Sequence, residues 1–214
     1  MSETTDTGDR IKLTAHGLFM KYGLRSVSMD DIATALGISK KTVYRYYEDK
    51  DALVDEVIAS IIANNQAGCQ KDREGSINAI HEVFLAMDFM MEIFRSMNPA
   101  LVFDMQKYYP RAFQKFSEHK NNYLQGVIEA NILRGIEEEL YRPDLQVDIL
   151  SRYRVESMML PFNPDFHTTV KSNLAAIEEE LTLHFLYGIV SPKGYKLAAK
   201  YHLDRIKKNK ANEK

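Results

Sequence analysis

Three cations and three hydroxyls fall within seven consecutive residues, Lys40-Lys41-Thr42-Val43-Tyr44-Arg45-Tyr46. Ammonium and guanidinium groups donate to the O6 and N7 acceptors of guanine, and Thr and Tyr hydroxyls suit phosphate oxygens or single base contacts. On the exposed face of a short helix, Lys40, Lys41, Thr42, Tyr44, Arg45 and Tyr46 would offer a DNA duplex donors for its base edges and its backbone. Lys50 follows at the start of another helical stretch, where its ammonium and the free N–H groups of the first turn could grip a phosphate. Ser28, ahead of the preceding helix, completes the DNA-binding candidates. Charge supports the set: residues 10–47 hold seven Lys and Arg against Asp30 and Asp31, a local +5, inside a chain whose formal net charge is −2.

Such side chains need a rigid mount, and the residues before them supply one. Ile11, Ala15, Leu18, Phe19 and Tyr22 repeat at helical spacing and stop at Gly23, a helix-ending residue. Ser28-Met29-Asp30-Asp31 reads as an N-cap serine with acids in the first turn, opening a short helix through Ile32, Ala33 and Leu36. Gly37-Ile38-Ser39 makes a tight turn, and Ser39 caps the second short helix, Lys40 to Tyr47. Two short helices joined by a three-residue turn containing glycine form a helix-turn-helix. Ile32, Ala33, Leu36, Ile38 and Val43 are the apolar positions that would hold the pair together and onto the first helix.

Taken together, Ala15 through Gly23, Val27-Ser28-Met29-Asp30-Asp31-Ile32-Ala33, Leu36 through Tyr47 and Lys50-Asp51-Ala52-Leu53 resemble the N-terminal signature of TetR-family transcriptional regulators in residue type, order and spacing. The resemblance covers roughly the first fifty-five residues. It implies a DNA-binding domain at 1–48 and a helical ligand-binding and dimerisation domain at 49–214. The protein would be a homodimeric repressor, released from a palindromic double-stranded DNA operator by a small-molecule inducer. Tyr47 corresponds to the family's buried aromatic. Lys41 departs from the family, which often has glycine or another small residue there, so operator preference does not transfer. A second reading keeps DNA binding and gives the C-terminal domain only dimerisation or a protein partner.

Beyond residue 55 the pattern is one of helices. All six prolines lie at or after position 99 and divide the second half into segments of helix length. Apolar spacing is three or four, as in Ile77, Ile80, Phe84, Met87, Met91, Phe94 and again over 113–132. An all-α fold of about nine or ten helices follows: a three-helix DNA-binding domain ahead of a C-terminal helical bundle. Methionine and phenylalanine crowd 84–116, where adaptable apolar side chains suit a packed core or an apolar ligand. The ligand-binding candidates are Met87, Asp88, Met91, Phe94, Arg95, Phe103 and Phe113. His81, Asp88 and Arg95, seven apart, share a face that could hold a polar end or simply meet solvent. A heptad-like seam over 168–188, with 143–160, offers Leu145, Ile149, Val170, Leu174, Ile177, Leu181 and His184 as dimer-interface candidates, with packing inside the subunit as the alternative.

Other function classes find little support. Phosphate-loop, dinucleotide, zinc-protease and serine-hydrolase motifs are missing from the sequence, which disfavours an enzyme. The six histidines are scattered and Cys69 is the single cysteine, so neither a metal nor a cofactor is expected. With no apolar stretch near membrane-spanning length and a polar, acidic start, the chain is expected to be cytoplasmic, with no membrane partner.

Overall fold

The structure is a computed structural model that describes the backbone of residues 2–212 and the side chains of 7–166 and 169–208. Twelve α-helices are found among the described residues, more than the nine or ten expected. They are α1 (Ser2–Tyr22), α2 (Met29–Leu36), α3 (Lys40–Tyr46), α4 (Lys50–Gly75), α5 (Ala79–Phe94) and α6 (Ala100–Tyr108). Then come α7 (Pro110–Glu118), a π-helical segment (His119–Leu124), α8 (Gln125–Glu137), α9 (Val147–Ser157), α10 (Pro164–Thr169), α11 (Leu174–Ile189) and α12 (Pro192–Asn212). Pro110, Pro164 and Pro192 each occupy the first position of a helix, where the missing N–H costs nothing. The described residues hold no β-strand, only an isolated antiparallel bridge between Tyr141 and Val190.

Three sequence expectations shift. Ile77 is 75% exposed and precedes α5, so the buried stripe starts at Ile80 and continues through Phe84, Met87, Met91 and Phe94. The stripe over 113–132 is crossed by the π segment, which adds an extra residue per turn and rotates the face. The seam over 168–188 is interrupted between α10 and α11, so Val170 does not share a helix with Leu174.

The chain forms two compact units. The first comprises Met1–Gln66, Phe94–His119 and Pro161–Leu174. Its core joins Ile11, Ala15 and Phe19 of α1 to Ile32 and Ala33 of α2, Val43 of α3, Leu53 and Val57 of α4, and Leu101 and Met105 of α6. The helix-turn-helix therefore rests on α4 and α6 as well as on α1. Gly23 ends α1 with φ +85°, and Gly37 ends α2 with φ +67°, left-handed turns that L side chains rarely adopt.

The second unit comprises Ala67–Ile93, Lys120–Leu160 and Ala175–Lys214. Long-range polar pairs organise it. Arg134 of α8 donates to Glu82 of α5 at 3.0 Å, to Glu138 at 2.7 Å and to the Ser76 hydroxyl at 2.6 Å. Glu138 in turn accepts the Ala79 N–H at 2.7 Å, and the Asn78 side chain accepts the N–H of His81 at 2.8 Å, so two of the free donors of α5's first turn are satisfied. Beneath them, Tyr141 donates to Asn131 at 3.0 Å, and Asn131 donates to the Ala79 carbonyl at 3.0 Å.

Candidate DNA interface

The candidate reading helix α3 is only seven residues long, and local rules set its ends. The Ser39 hydroxyl accepts the Thr42 N–H at 3.1 Å and lies 2.8 Å from the Thr42 hydroxyl. Val43 is fully buried and pins the helix to the core, which turns Lys41, Tyr44 and Arg45 outward; Tyr44 is 43% exposed. Preceding it, α2 carries a complete capping box. The Ser28 hydroxyl accepts the Asp31 N–H at 3.2 Å, and the Asp31 carboxylate accepts the Ser28 N–H at 2.8 Å. The Ser28 hydroxyl, donating to the Asp31 carboxylate at 2.6 Å, and then the Ser28 N–H hold that carboxyl below its ordinary pKa, so Ser28 sits on the surface beside a fixed negative charge.

Not all the nominated side chains are equally available. Lys40 donates to Asp30 at 2.9 Å, a bond that raises its pKa and ties the start of α3 to the start of α2. Tyr46 is half-buried against the head's core, with its ring 3.3 Å from where a Gly8 Cβ would stand, and Tyr47 donates to the Gly8 carbonyl at 3.3 Å. Lys50 points inward: its Nζ donates to the Leu24 carbonyl at 2.5 Å and lies 5.6 Å from the Tyr109 ring centre. Burial lowers the Lys50 pKa, against which the Asp104 charge pulls upward.

Sequence reasoning missed Asp104. It is buried on α6, accepts the Arg25 N–H at 3.0 Å and supports the Lys50 charge. Asn98, just ahead of α6, donates its N–H to the Met20 carbonyl at 2.7 Å. These bonds fasten the segment 98–104 to the turn that feeds α2. A buried carboxylate nearly eighty positions from its partner leaves no local pattern, so only the fold could reveal it.

The ligand candidates separate. Met87 and Met91 are buried on α5, and Phe94 is buried with its edge toward Phe162, ring centres 5.5 Å apart. Phe113 is half-buried, while Phe103 is 43% exposed. The polar set is not assembled: Asp88 accepts from Arg205 at 2.5 Å, His81 stacks on Tyr201 and accepts the Ile77 N–H, and Arg95 lies exposed beyond α5. A cleft of about 460 Å³ opens elsewhere, lined by Gly8, Tyr46, Tyr47, Asp55, Arg111 and Lys115 among others, and none of the seven ligand candidates lines it. Of the dimer candidates, Leu174 and Ile177 are buried within the single chain, Leu145, Val170 and Leu181 are half-buried, and Ile149, at 57%, and His184 are exposed. Among the described residues no three His, Cys, Asp or Glu side chains gather as a metal site, and no helix is long and apolar enough to cross a membrane.

Residues 13–57 match the family model of bacterial regulatory proteins of the tetR family. The HTH-type transcriptional regulator YvaF of Bacillus subtilis is 33% identical over 86 residues, which is 39% of this chain and less than half, 45%, of that one. The HTH-type transcriptional repressor KstR2 of Mycobacterium tuberculosis is 24% identical over 149 residues, 68% of this chain and 74% of that protein. The solved structure of this ketosteroid transcriptional regulator superposes with a TM-score of 0.60 at 19% identity, covering 86% of this chain and 95% of that one. A TetR-family regulator from Agrobacterium tumefaciens reaches a TM-score of 0.74 at 14% identity, over 87% of this chain and 99% of its own.

Proposed function

We propose that the chain is a TetR-type transcriptional regulator that acts as a repressor: a homodimer that holds a palindromic operator and leaves it when a small apolar or aromatic inducer binds. The observation that carries the DNA half is α3, whose Val43 is locked in the core while Lys41, Tyr44 and Arg45 face outward. That arrangement presents donors at the end of a helix which a helix-turn-helix lays in the major groove. We assign reading to residues 1–48 and inducer binding and dimerisation to 49–214. Exposed Ile149 and Tyr153 on α9 and His184 on α11 supply the two-fold contact. An isologous pair of heads then meets half-sites about 34–36 Å apart or a longer multiple.

The inducer half rests on the apolar stripe of α5. Met87 and Met91 offer dispersion contact and few hydrogen bonds, so the ligand's polarity must be small or local. The ketosteroid named for KstR2 belongs to that chemical range. An inducer works only by favouring the dimer shape whose heads miss the operator. Met91→Glu should therefore leave operator binding intact and abolish release; retained release would remove α5 from the inducer site.

The test of the reading as a whole is selection of bound duplexes from a random library, followed by footprinting. A palindromic footprint is expected. Lys41→Ala should relax preference at one operator position, by about 1–3 kcal/mol if it holds a guanine. Equal losses on the selected and a scrambled duplex would place Lys41 on the backbone instead. Sedimentation as a monomer at micromolar concentration, with or without DNA, would overturn the dimer.

A further inference from the structure

Two of the cations nominated for DNA already have partners within the chain: exposed Lys40 on Asp30, and half-buried Lys50 on the Leu24 carbonyl. A head that holds a duplex draws much of its affinity from cations on phosphates, and the helix before the reading helix crosses the backbone. Further exposed cations lie in the last turn of α1, in the turn between α1 and α2, and on α6. Arg25 stands three residues before the N-cap Ser28, with its guanidinium 5.4 Å from the Tyr108 ring centre. Lys107 lies 5.3 Å from the same ring and 5.6 Å from the Phe103 ring, and Lys21 lies 5.1 Å from the Tyr22 ring. All six side chains are exposed.

The patch is built rather than scattered. The bond from the Arg25 N–H to Asp104 and the bond from the Asn98 N–H to Met20 hold α6 beside this turn. Asp104 is itself buried, so its charge faces Gly23 and Lys50 and not the patch's outer surface. Asp30 and Asp31, the acids nearest in sequence, are bound to Lys40 and Ser28. Each cation rests on an aromatic face, which orients it and lowers the entropy cost of fixing it on a phosphate.

We propose that this surface is a second DNA contact, taking the sugar–phosphate backbone of the duplex that flanks each operator half-site. Arg25, Lys107 and Lys21 would neutralise phosphates, and Phe103 and Tyr108 would pack on deoxyribose. Contacts of this kind set affinity and salt dependence without choosing a sequence. The proposal rests on the DNA-binding reading above and extends it to residues outside the helix-turn-helix.

The experiment compares a long duplex carrying the selected operator with the same operator trimmed to its two half-sites. For the double variant Arg25→Ala with Lys107→Ala, affinity for the long duplex should fall and affinity for the trimmed one should hold. The slope of log K against log salt on the long duplex should drop by about 3.6, roughly 0.9 for each of four phosphates, two per protomer of the dimer. The pair Arg25→Lys with Lys107→Arg should keep the slope. Asp104 binds the main-chain N–H of residue 25, so the side-chain changes leave the anchor in place. Unchanged affinity and slope on the long duplex overturn the second contact alone. An equal loss on both duplexes places the contact inside the half-site and overturns it too. A wild-type protein that binds no duplex at any salt overturns the DNA reading itself.

Discussion

The two compact units use their polar side chains in opposite ways. In the first unit, much of the polar chemistry is local and faces solvent: the Ser28–Asp31 capping box, the Ser39 cap, and the outward run Lys41, Tyr44, Arg45. The second unit hides its polar groups and spends them on long-range joints. Arg134 ties α8 to α5, Arg154 ties α9 to α11, and Arg205 of α12 ties to Asp88 and Glu179. The first arrangement keeps its donors available at the surface, as the proposed contact with phosphates requires. A bundle of helices with similar apolar stripes needs something else to fix which helix lies against which, and buried ion pairs serve as such register marks.

The most severe break of that contrast is Arg134→Ala. It leaves the buried Glu82 carboxylate with Arg73 alone, at 3.9 Å, and frees Glu138 from its side-chain partner. A loss of about 3 kcal/mol or more is expected, since removing one member of a buried pair strands the other charge. Hydrogen exchange should accelerate in α5 and α8 while α1 to α3 stay protected. Uniform acceleration across both units would show that they unfold as one, and that the contrast has no thermodynamic counterpart.

Changes in the first unit should be milder because its rules are local. Gly23→Ala forces an L residue into φ +85° and places a Cβ 3.1 Å from Asp104 Oδ2, so about 1–2 kcal/mol should be lost. Operator affinity should fall with it, since the same turn leads into α2. Ser28→Ala removes one N-cap and should cost about 1 kcal/mol in denaturant unfolding. Ser28→Asp, which can still cap, should recover most of it, while its added charge weakens duplex binding at low salt.

This difference also explains what could be read from the chain. The helix-turn-helix was legible because Gly23, Ser28, Gly37 and Ser39 act within a few residues of themselves. The buried stripe of α5 was legible from its spacing. Asp104 and Glu82 were not, since their partners lie 79 and 52 positions away. Asp88 and His81 looked like a polar face for a ligand, but the fold gives them Arg205 and Tyr201, a helix more than a hundred residues later. Lys50 was sited correctly at the start of a helix, and only packing against Tyr109 and the Leu24 carbonyl turned it inward. Spacing reports which face a residue occupies. It does not report what arrives opposite that face.

The smallest effect expected, and the finest test of the contrast, is a pH response of opposite sign in the two units. His119 is buried in the first unit, with Asn65 Oδ1 3.0 Å from its Nε2 and Gln66 Nε2 3.4 Å from its Nδ1. One neutral tautomer satisfies both contacts, whereas the imidazolium would turn an N–H toward the Gln66 amide donor. Burial accordingly lowers the His119 pKa from its ordinary 6.5, and half-buried His16 shifts the same way. A lowered folded value means stability that is present above pH 6.5 and is lost as pH falls through the folded pKa. Glu178 of the second unit behaves in reverse. One of its oxygens accepts from Arg154 at 2.5 Å, but Oε2 is buried without a hydrogen-bond partner among the described residues, and burial raises its pKa above the ordinary 4.5. Its contribution is complete below pH 4.5 and is lost as pH rises through the raised value. Hydrogen exchange followed across mildly acidic pH should thus show α4 and α7 loosening toward acid, after correction for intrinsic rates, while α9 and α11 tighten. Glu178→Gln, neutral at every pH, should flatten the second response and leave the first; His119→Gln should reduce the first, with His16 carrying the remainder. If Glu178→Gln leaves the α9 and α11 profile unchanged, the unpartnered oxygen is not what couples that unit to pH.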